Sequence, residues 1–268
     1  MTTMLRRFLC VCLFSLCAPA SAAMREVPLE WTVDGEAFAG VLVYDDGAAG
    51  PLPGLVMVPN WMGVTPESVE RARAVAGTGY VVLVADVYGR DRRPANSEEA
   101  GRLASSLRGE DRSALRARMH AAVETLRAQA GKVPLRPGRV GAFGFCFGGT
   151  AVLELARSGA ELAGVVSLHG GLAPGARSPA AERIDTPVLV LNGAADRAVG
   201  QDEIVAFGRE MDAAGADWQF VNFSGAVHCF AEPSAGNDPG SNCRYDERAA
   251  RRAYRMMAAF FEEAFAGE

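Results

Sequence analysis

One pentapeptide, Gly144-Phe145-Cys146-Phe147-Gly148, constrains this chain more than any other stretch. An apolar run ending at Phe143 leads into it, the mark of a buried strand, and small and helix-forming residues from Gly148 onward start a helix. A strand that passes straight into a helix across two glycines packs backbone on backbone and puts its central residue at unusual dihedrals. That residue is Cys146, whose side chain then stands above the end of a sheet. The pentapeptide by itself fits a buried, inert thiol equally well, because free cysteine is commonly a core residue.

The rest of the chain supplies the sheet. Residues 30–44 alternate in polarity around Asp34-Gly35, a hairpin signal. Short apolar runs at 55–58, 80–85 and 165–168 have the pattern of strands buried on both faces, and 187–191 and 218–223 read as further strands. Helices are expected over 66–76, over 97–130 in two pieces parted near Gly109, from the elbow to Arg157, and over 204–213 and 246–265. In the second piece of 97–130, Leu115, Met119, Ala122 and Leu126 form a core stripe. This alternation predicts the α/β class: one doubly wound, mostly parallel sheet with helices on both faces and an N-terminal antiparallel hairpin. No repeat or low-complexity linker interrupts it, so residues 24–268 read as one domain.

Residues 1–23 read as a cleavable export signal. Arg6 and Arg7 precede an apolar run over 8–17, and Ala20-Ser21-Ala22 offers a small-residue cleavage site. The run is too short to span a bilayer comfortably; a retained anchor is the alternative. A secreted or periplasmic location follows, with no stable membrane insertion after cleavage. Loss of Cys10, Cys12 and Cys17 leaves Cys146, Cys229 and Cys243 in an oxidising compartment, where one pair and one leftover thiol are expected. Cys229 and Cys243 enclose a stretch rich in Gly, Pro, Ser and Asn that a disulfide could pin, although spacing alone does not establish their proximity. The formal net charge of -5 gives no electrostatic basis for binding nucleic acid or anionic membrane. Arg248, Arg251, Arg252 and Arg255 mark one solvated face of the last helix, with Ala250, Tyr254, Met257 and Phe261 on another. No Cys/His cluster suggests a metal, no glycine-rich segment has phosphate-loop spacing, and no cofactor is expected.

With serine at its centre, the pentapeptide would be the nucleophile elbow of an α/β-hydrolase. Ligands of such sheets bind beyond the carboxyl ends of the strands. Two more residues fall at strand ends there, Asp196 after the run at 187–191 and His228 after that at 218–223. The order nucleophile, acid, histidine is that of the α/β-hydrolases. His228 can take the thiol proton of Cys146, and Asp196 can fix the imidazole tautomer. The Phe147 N–H at the helix start is one oxyanion donor, and the Trp61 N–H after the 55–58 strand is the expected second.

These residues resemble the dienelactone hydrolases. Gly144-Phe145-Cys146-Phe147-Gly148-Gly149 looks like that family's cysteine elbow, Asp196 and His228 fall where its triad acid and base fall, and Asp86-Val87-Tyr88-Gly89-Arg90 resembles its segment carrying a substrate-binding arginine. The resemblance implies hydrolysis of an ester or enol-lactone through a thioester, a small-molecule substrate that can bear a carboxylate, and a role for Arg90 in holding that carboxylate. It also locates a departure: Asn60 stands where dienelactone-cleaving members carry a glutamate that helps activate the thiol, and an amide cannot take a proton. His169, ending a strand before two glycines, is a candidate pocket residue with a structural role as its alternative, and His120 lies off its helix's core stripe. Two other readings are a non-catalytic ligand-binding protein on a hydrolase scaffold and a disulfide-exchanging redox protein. The absence of C-x-x-C speaks against the last.

Overall fold

A two-residue turn sets the first edge of the sheet: Asp34 and Gly35 both have positive φ, 49° and 80°, as a hairpin turn matched to strand twist requires. In the computed structural model, which describes residues 23–267, this turn joins β1 (Met24–Val33) to β2 (Glu36–Asp45). The hairpin starts earlier than its polarity alternation predicts, with Met24 paired to Asp45. The export signal expected over 1–23 lies outside the described residues apart from Ala23.

Six strands follow, β3 (Gly54–Val58), β4 (Val81–Val84), β5 (Gly141–Phe145), β6 (Val165–Leu168), β7 (Val188–Gly193) and β8 (Trp218–Phe223). The sheet order is β1-β2-β4-β3-β5-β6-β7-β8. Only the pairings of β2 are antiparallel. Alternate side chains of the central strands divide between two cores, as the period of two demands. Val56, Val58, Val81 and Leu83 pack on one face with α2 (Ser97–Leu107), α3 (Ser113–Arg127), α4 (Phe147–Arg157) and α5 (Gln201–Ala213). Leu55, Met57, Val82 and Val84 pack on the other with α1 (Pro66–Ala76) and α6 (Glu247–Ala266). The doubly wound α/β expectation is thus met.

Local signals fix most helix starts. Thr65 and Ser68 form a capping box on α1, with Pro66 in its first turn, and the Asp246 carboxylate accepts from the Ala249 N–H at the start of α6. Helix α5 begins at Gln201, ahead of the expected 204, because its first turn is polar (Asp202, Glu203) and carries no apolar period. The arginine face of α6 is exposed, and no helix among the described residues is long and apolar enough to cross a membrane.

Beneath α4 lies an ionic cluster that hydrophobic patterning did not disclose. Glu154 is fully buried; one oxygen accepts from Arg112 at 2.9 Å and Arg157 at 3.1 Å, and the other accepts from Arg116 at 2.8 Å. Arg157 reaches on to Glu210 at 2.7 Å.

Candidate active site

Backbone crowding explains the glycines on either side of Cys146. A Cβ on Gly144 would stand 2.2 Å from the Gly148 carbonyl oxygen, and one on Gly148 would stand 2.1 Å from that of Val58. Strand β5 can therefore enter α4 this steeply only without side chains at those positions. Cys146 takes up the turn with φ 51° and ψ -115°, a conformation costing about 1–3 kcal/mol in a non-glycine residue. His169 and Cys229, with φ 42° and 59°, are strained at the same end of the sheet.

The strain holds a chain of three side chains. His228 Nε2 lies 3.0 Å from Cys146 Sγ, and His228 Nδ1 lies 2.7 Å from Asp196 Oδ2. The other Asp196 oxygen accepts from the Ala198 N–H at 2.8 Å and the Asn242 amide at 3.0 Å. Burial alone would raise the Asp196 carboxyl, but these bonds outweigh it and hold the group below the ordinary carboxylate range. Burial likewise disfavours the imidazolium of His228, yet the hydrogen bonds and charges of Asp196 and Cys146 prevail and push it up to about 10.

Because the folded pKa of His228 is the higher one, the stability this pairing adds is complete below about pH 6.5, the ordinary histidine value. It is lost as pH rises through about 10. In Asp196→Asn the supporting charge is gone, so the alkaline limb of a pH–rate profile is expected to move at least about one unit toward neutrality. A limb that stays in place would show that Asp196 does not set the His228 titration.

The same loop holds the histidine and the acid. Cys229, next to His228, is joined to Cys243 by a disulfide with Cα atoms 4.9 Å apart, and Cys146 is the free cysteine among the described residues. The Arg244 N–H donates to the His228 carbonyl at 3.1 Å. Asn242, which bonds Asp196, immediately precedes Cys243.

Two backbone amides close to Cys146 are without acceptors among the described residues. The Phe147 N–H opens α4, where a helix offers it no acceptor. In the turn after β3, the Gly63 N–H goes to the Asn60 carbonyl at 2.9 Å and the Met62 N–H to Asn60 Oδ1 at 3.0 Å. The Trp61 N–H between them has no acceptor among the hydrogen bonds of the described residues. Tyr88 links the two amides: its hydroxyl donates to the Trp61 carbonyl at 2.9 Å, and its ring stacks on Phe147 at 5.5 Å. A cavity of about 150 Å³ opens at Cys146, bordered by Asn60, Trp61, Glu232 and Ser234.

The structure places Arg90 and His169 outside the lining of the Cys146 cavity. The Arg90 guanidinium bonds Glu30 at 3.2 Å and Asp91 at 3.5 Å, stays half exposed, and does not border the Cys146 cavity. Its neighbours on β1 and in its own loop supply carboxylates that a substrate would have to displace. His169 is fully buried and lies behind the thiol, not in the pocket. Its Nδ1 accepts from the Cys146 N–H at 3.2 Å, and burial holds its pKa well below the ordinary histidine value, so the ring is neutral. Asn60 does border the cavity, and its amide donates to Glu232 at 2.6 Å. Glu232 and Arg71, 2.9 Å apart and both largely buried, are site residues that sequence reasoning missed. The only signal for Glu232 was its place four residues after His228.

The profile of the dienelactone hydrolase family matches residues 38–265 of this chain. A putative carboxymethylenebutenolidase of Aquifex aeolicus is 26% identical over 78% of this chain and 87% of its own length. The solved structure of a dienelactone hydrolase-like promiscuous phosphotriesterase from metagenomic libraries superposes with a TM-score of 0.81 and 34% identity, covering 90% of this chain and 99% of that one. Another, m3DLH, has a TM-score of 0.83 and 37% identity over the same shares of the two chains.

Proposed function

We propose, from the premise that this chain belongs to the dienelactone hydrolase family, that it cleaves small carboxylic esters or lactones through a thioester on Cys146. The observation that carries the proposal is the continuous line from Cys146 Sγ to His228 Nε2 at 3.0 Å and from His228 Nδ1 to Asp196 Oδ2 at 2.7 Å. His228, whose imidazolium form Asp196 and Cys146 favour, already holds the thiol proton as the sulfur attacks the carbonyl carbon, while the Trp61 and Phe147 amides stabilise the oxyanion. The imidazolium returns that proton to the leaving alkoxide as the C–O bond breaks. Water then adds to the thioester with His228 as base, releasing the acid and regenerating the thiol. Asp196 holds the imidazole in the tautomer both halves need.

Two features bear on the substrate. Asn60 cannot exchange a proton where a glutamate would, and Arg90 is paired with Glu30 and Asp91. The first speaks against a thiol activated by a carboxylate at residue 60, and the second favours esters and lactones whose recognition does not depend on a carboxylate at Arg90. Arg90→Ala is accordingly expected to change kcat/KM by less than about fivefold, the effect of an exposed ion pair of under about 1 kcal/mol. A large rise in KM confined to carboxylate-bearing substrates would restore Arg90 to the binding site.

Mass spectrometry of the Cys146 peptide after mixing with an activated ester tests the thioester directly. A screen of esters, lactones and phosphotriesters, the last suggested by the name of the metagenomic relative, would define the range. Thermal stabilisation by ligands with no turnover and no adduct would favour the non-catalytic binding reading. Export of the mature chain is part of the proposal; the signal-like N-terminus and the Cys229–Cys243 disulfide support it.

A further inference from the structure

Glu232 is a carboxylate of 2% exposure at the edge of the Cys146 cavity, and the mechanism above gives it no task. Its Oε2 accepts from both the Asn60 amide, at 2.6 Å, and Arg71 Nη1, at 2.9 Å. Its Oε1 has no hydrogen-bond partner and faces His169 Nε2, likewise unpartnered, at 3.8 Å. Glu232 is tied to the catalytic loop, since its own N–H donates to the Cys229 carbonyl at 2.9 Å. A counter-ion for Arg71 could sit at many places along that side chain. What is particular here is the bond to Asn60.

Asn60 has one carbonyl oxygen and one NH₂, and the two demands on it are opposite. Its Oδ1 accepts the Met62 N–H and so braces the turn that the Gly63 N–H closes on the Asn60 carbonyl. Its NH₂ must then point the other way, toward a group that can only accept. An ionised carboxylate is such a group. With that acceptor gone, only the Met62 bond opposes a flip of the amide, which would set NH₂ against the Met62 N–H and loosen the turn. The Trp61 N–H lies in the middle of that turn.

We propose that Glu232 is a positioning residue for the oxyanion loop: by fixing the Asn60 amide it holds the Asn60–Gly63 turn so that the Trp61 N–H is presented to the acyl oxygen on Cys146. The role rests on the thioester reading above, and a carboxylate acts from the loop after His228 where Asn60 has none to offer. It differs from proton transfer to or from the thiol, because Glu232 acts only through Asn60.

Two reactions of the same thiol separate these possibilities. Acylation by an activated ester needs the oxyanion donors, whereas alkylation by iodoacetamide needs only the reactive sulfur. Glu232→Met is expected to slow Cys146 acylation about 10²-fold, the typical consequence of misplacing a reacting geometry by an ångström. Alkylation should stay within about threefold, because Cys146, His228 and Asp196 are untouched. Arg71→Met/Glu232→Met should show the same loss without a stranded buried charge, which covers the case in which Glu232→Met fails to fold. Glu232→Gln keeps an acceptor oxygen and should recover most of the acylation rate. Asn60→Ala should reproduce the loss, and Asn60→Ala/Glu232→Met should be no slower than either single variant, as residues acting in series are non-additive.

Wild-type acylation rates in the Arg71→Met/Glu232→Met protein, losses that multiply in the Asn60 double variant, or alkylation falling in parallel with acylation would each overturn the positioning role. Absence of any acyl adduct on wild-type Cys146 would instead remove the thioester reading, and this inference with it.

Discussion

In Cys146→Ala, turnover of a small activated ester is expected to fall about 10⁵–10⁶-fold, while KM for the residual reaction changes little. The size of the loss follows from how the site divides its work. In the proposed mechanism Asp196 and His228 act on the reaction only through the sulfur, 3.0 Å from His228 Nε2, so removing it is expected to silence all three. On the same mechanism the Trp61 and Phe147 amides and the 150 Å³ cavity remain in place, so substrate should still be held and its carbonyl still polarised. Residual catalysis of about 10³-fold over water is what such donors leave behind in a triad enzyme without its nucleophile. Iodoacetamide should inactivate the wild type and leave the alanine variant's residual rate unchanged, because Cys229 and Cys243 are bonded to each other. Substantial turnover in Cys146→Ala would mean that another group or a bound water attacks the ester.

The elbow was legible because its geometry leaves few alternatives in sequence: Gly144 and Gly148 face backbone at 2.2 Å and 2.1 Å from a would-be Cβ, so nothing larger fits. Asp196 and His228 were legible for a related reason, since parallel strands must end in loops on one side of the sheet and short apolar runs mark where they end. Arg90 shows the limit of that logic. A residue can be placed at a strand end from its neighbours in sequence, but the direction of a long side chain depends on charges brought in from elsewhere, here Glu30 on β1. His169 illustrates the same limit for a short side chain: its positive φ turns it behind Cys146. The groups that support the site escaped for want of any period. Glu232 and Arg71 are 161 residues apart, and Asn242 meets Asp196 across 46. Each looks in sequence like an ordinary polar loop or surface helix residue, and only folding shows that it is enclosed.

The second large effect concerns stability, at Glu154. Its fully buried carboxylate accepts from Arg112, Arg116 and Arg157 at 2.8–3.1 Å, and Glu210 joins this group through Arg157. Glu154→Gln keeps the volume but removes the charge, leaving Arg112 and Arg116 with a neutral amide that can accept through one oxygen only. Breaking a buried ion pair from one side is strongly destabilising, about 3–5 kcal/mol, because the remaining charge stays desolvated. For a chain of this length that corresponds to a fall in Tm of about 10 °C. Glu154 lies eight residues along α4 from Cys146, roughly 12 Å at the rise of an α-helix. Ester turnover per folded molecule at 25 °C should therefore remain within about twofold of wild type. The loss should also persist in high salt, since screening weakens exposed pairs far more than enclosed ones. A Tm unchanged in Glu154→Gln would mean that desolvation of the five ions already cancels their attraction, so that the cluster fixes the seat of α4 without stabilising the fold.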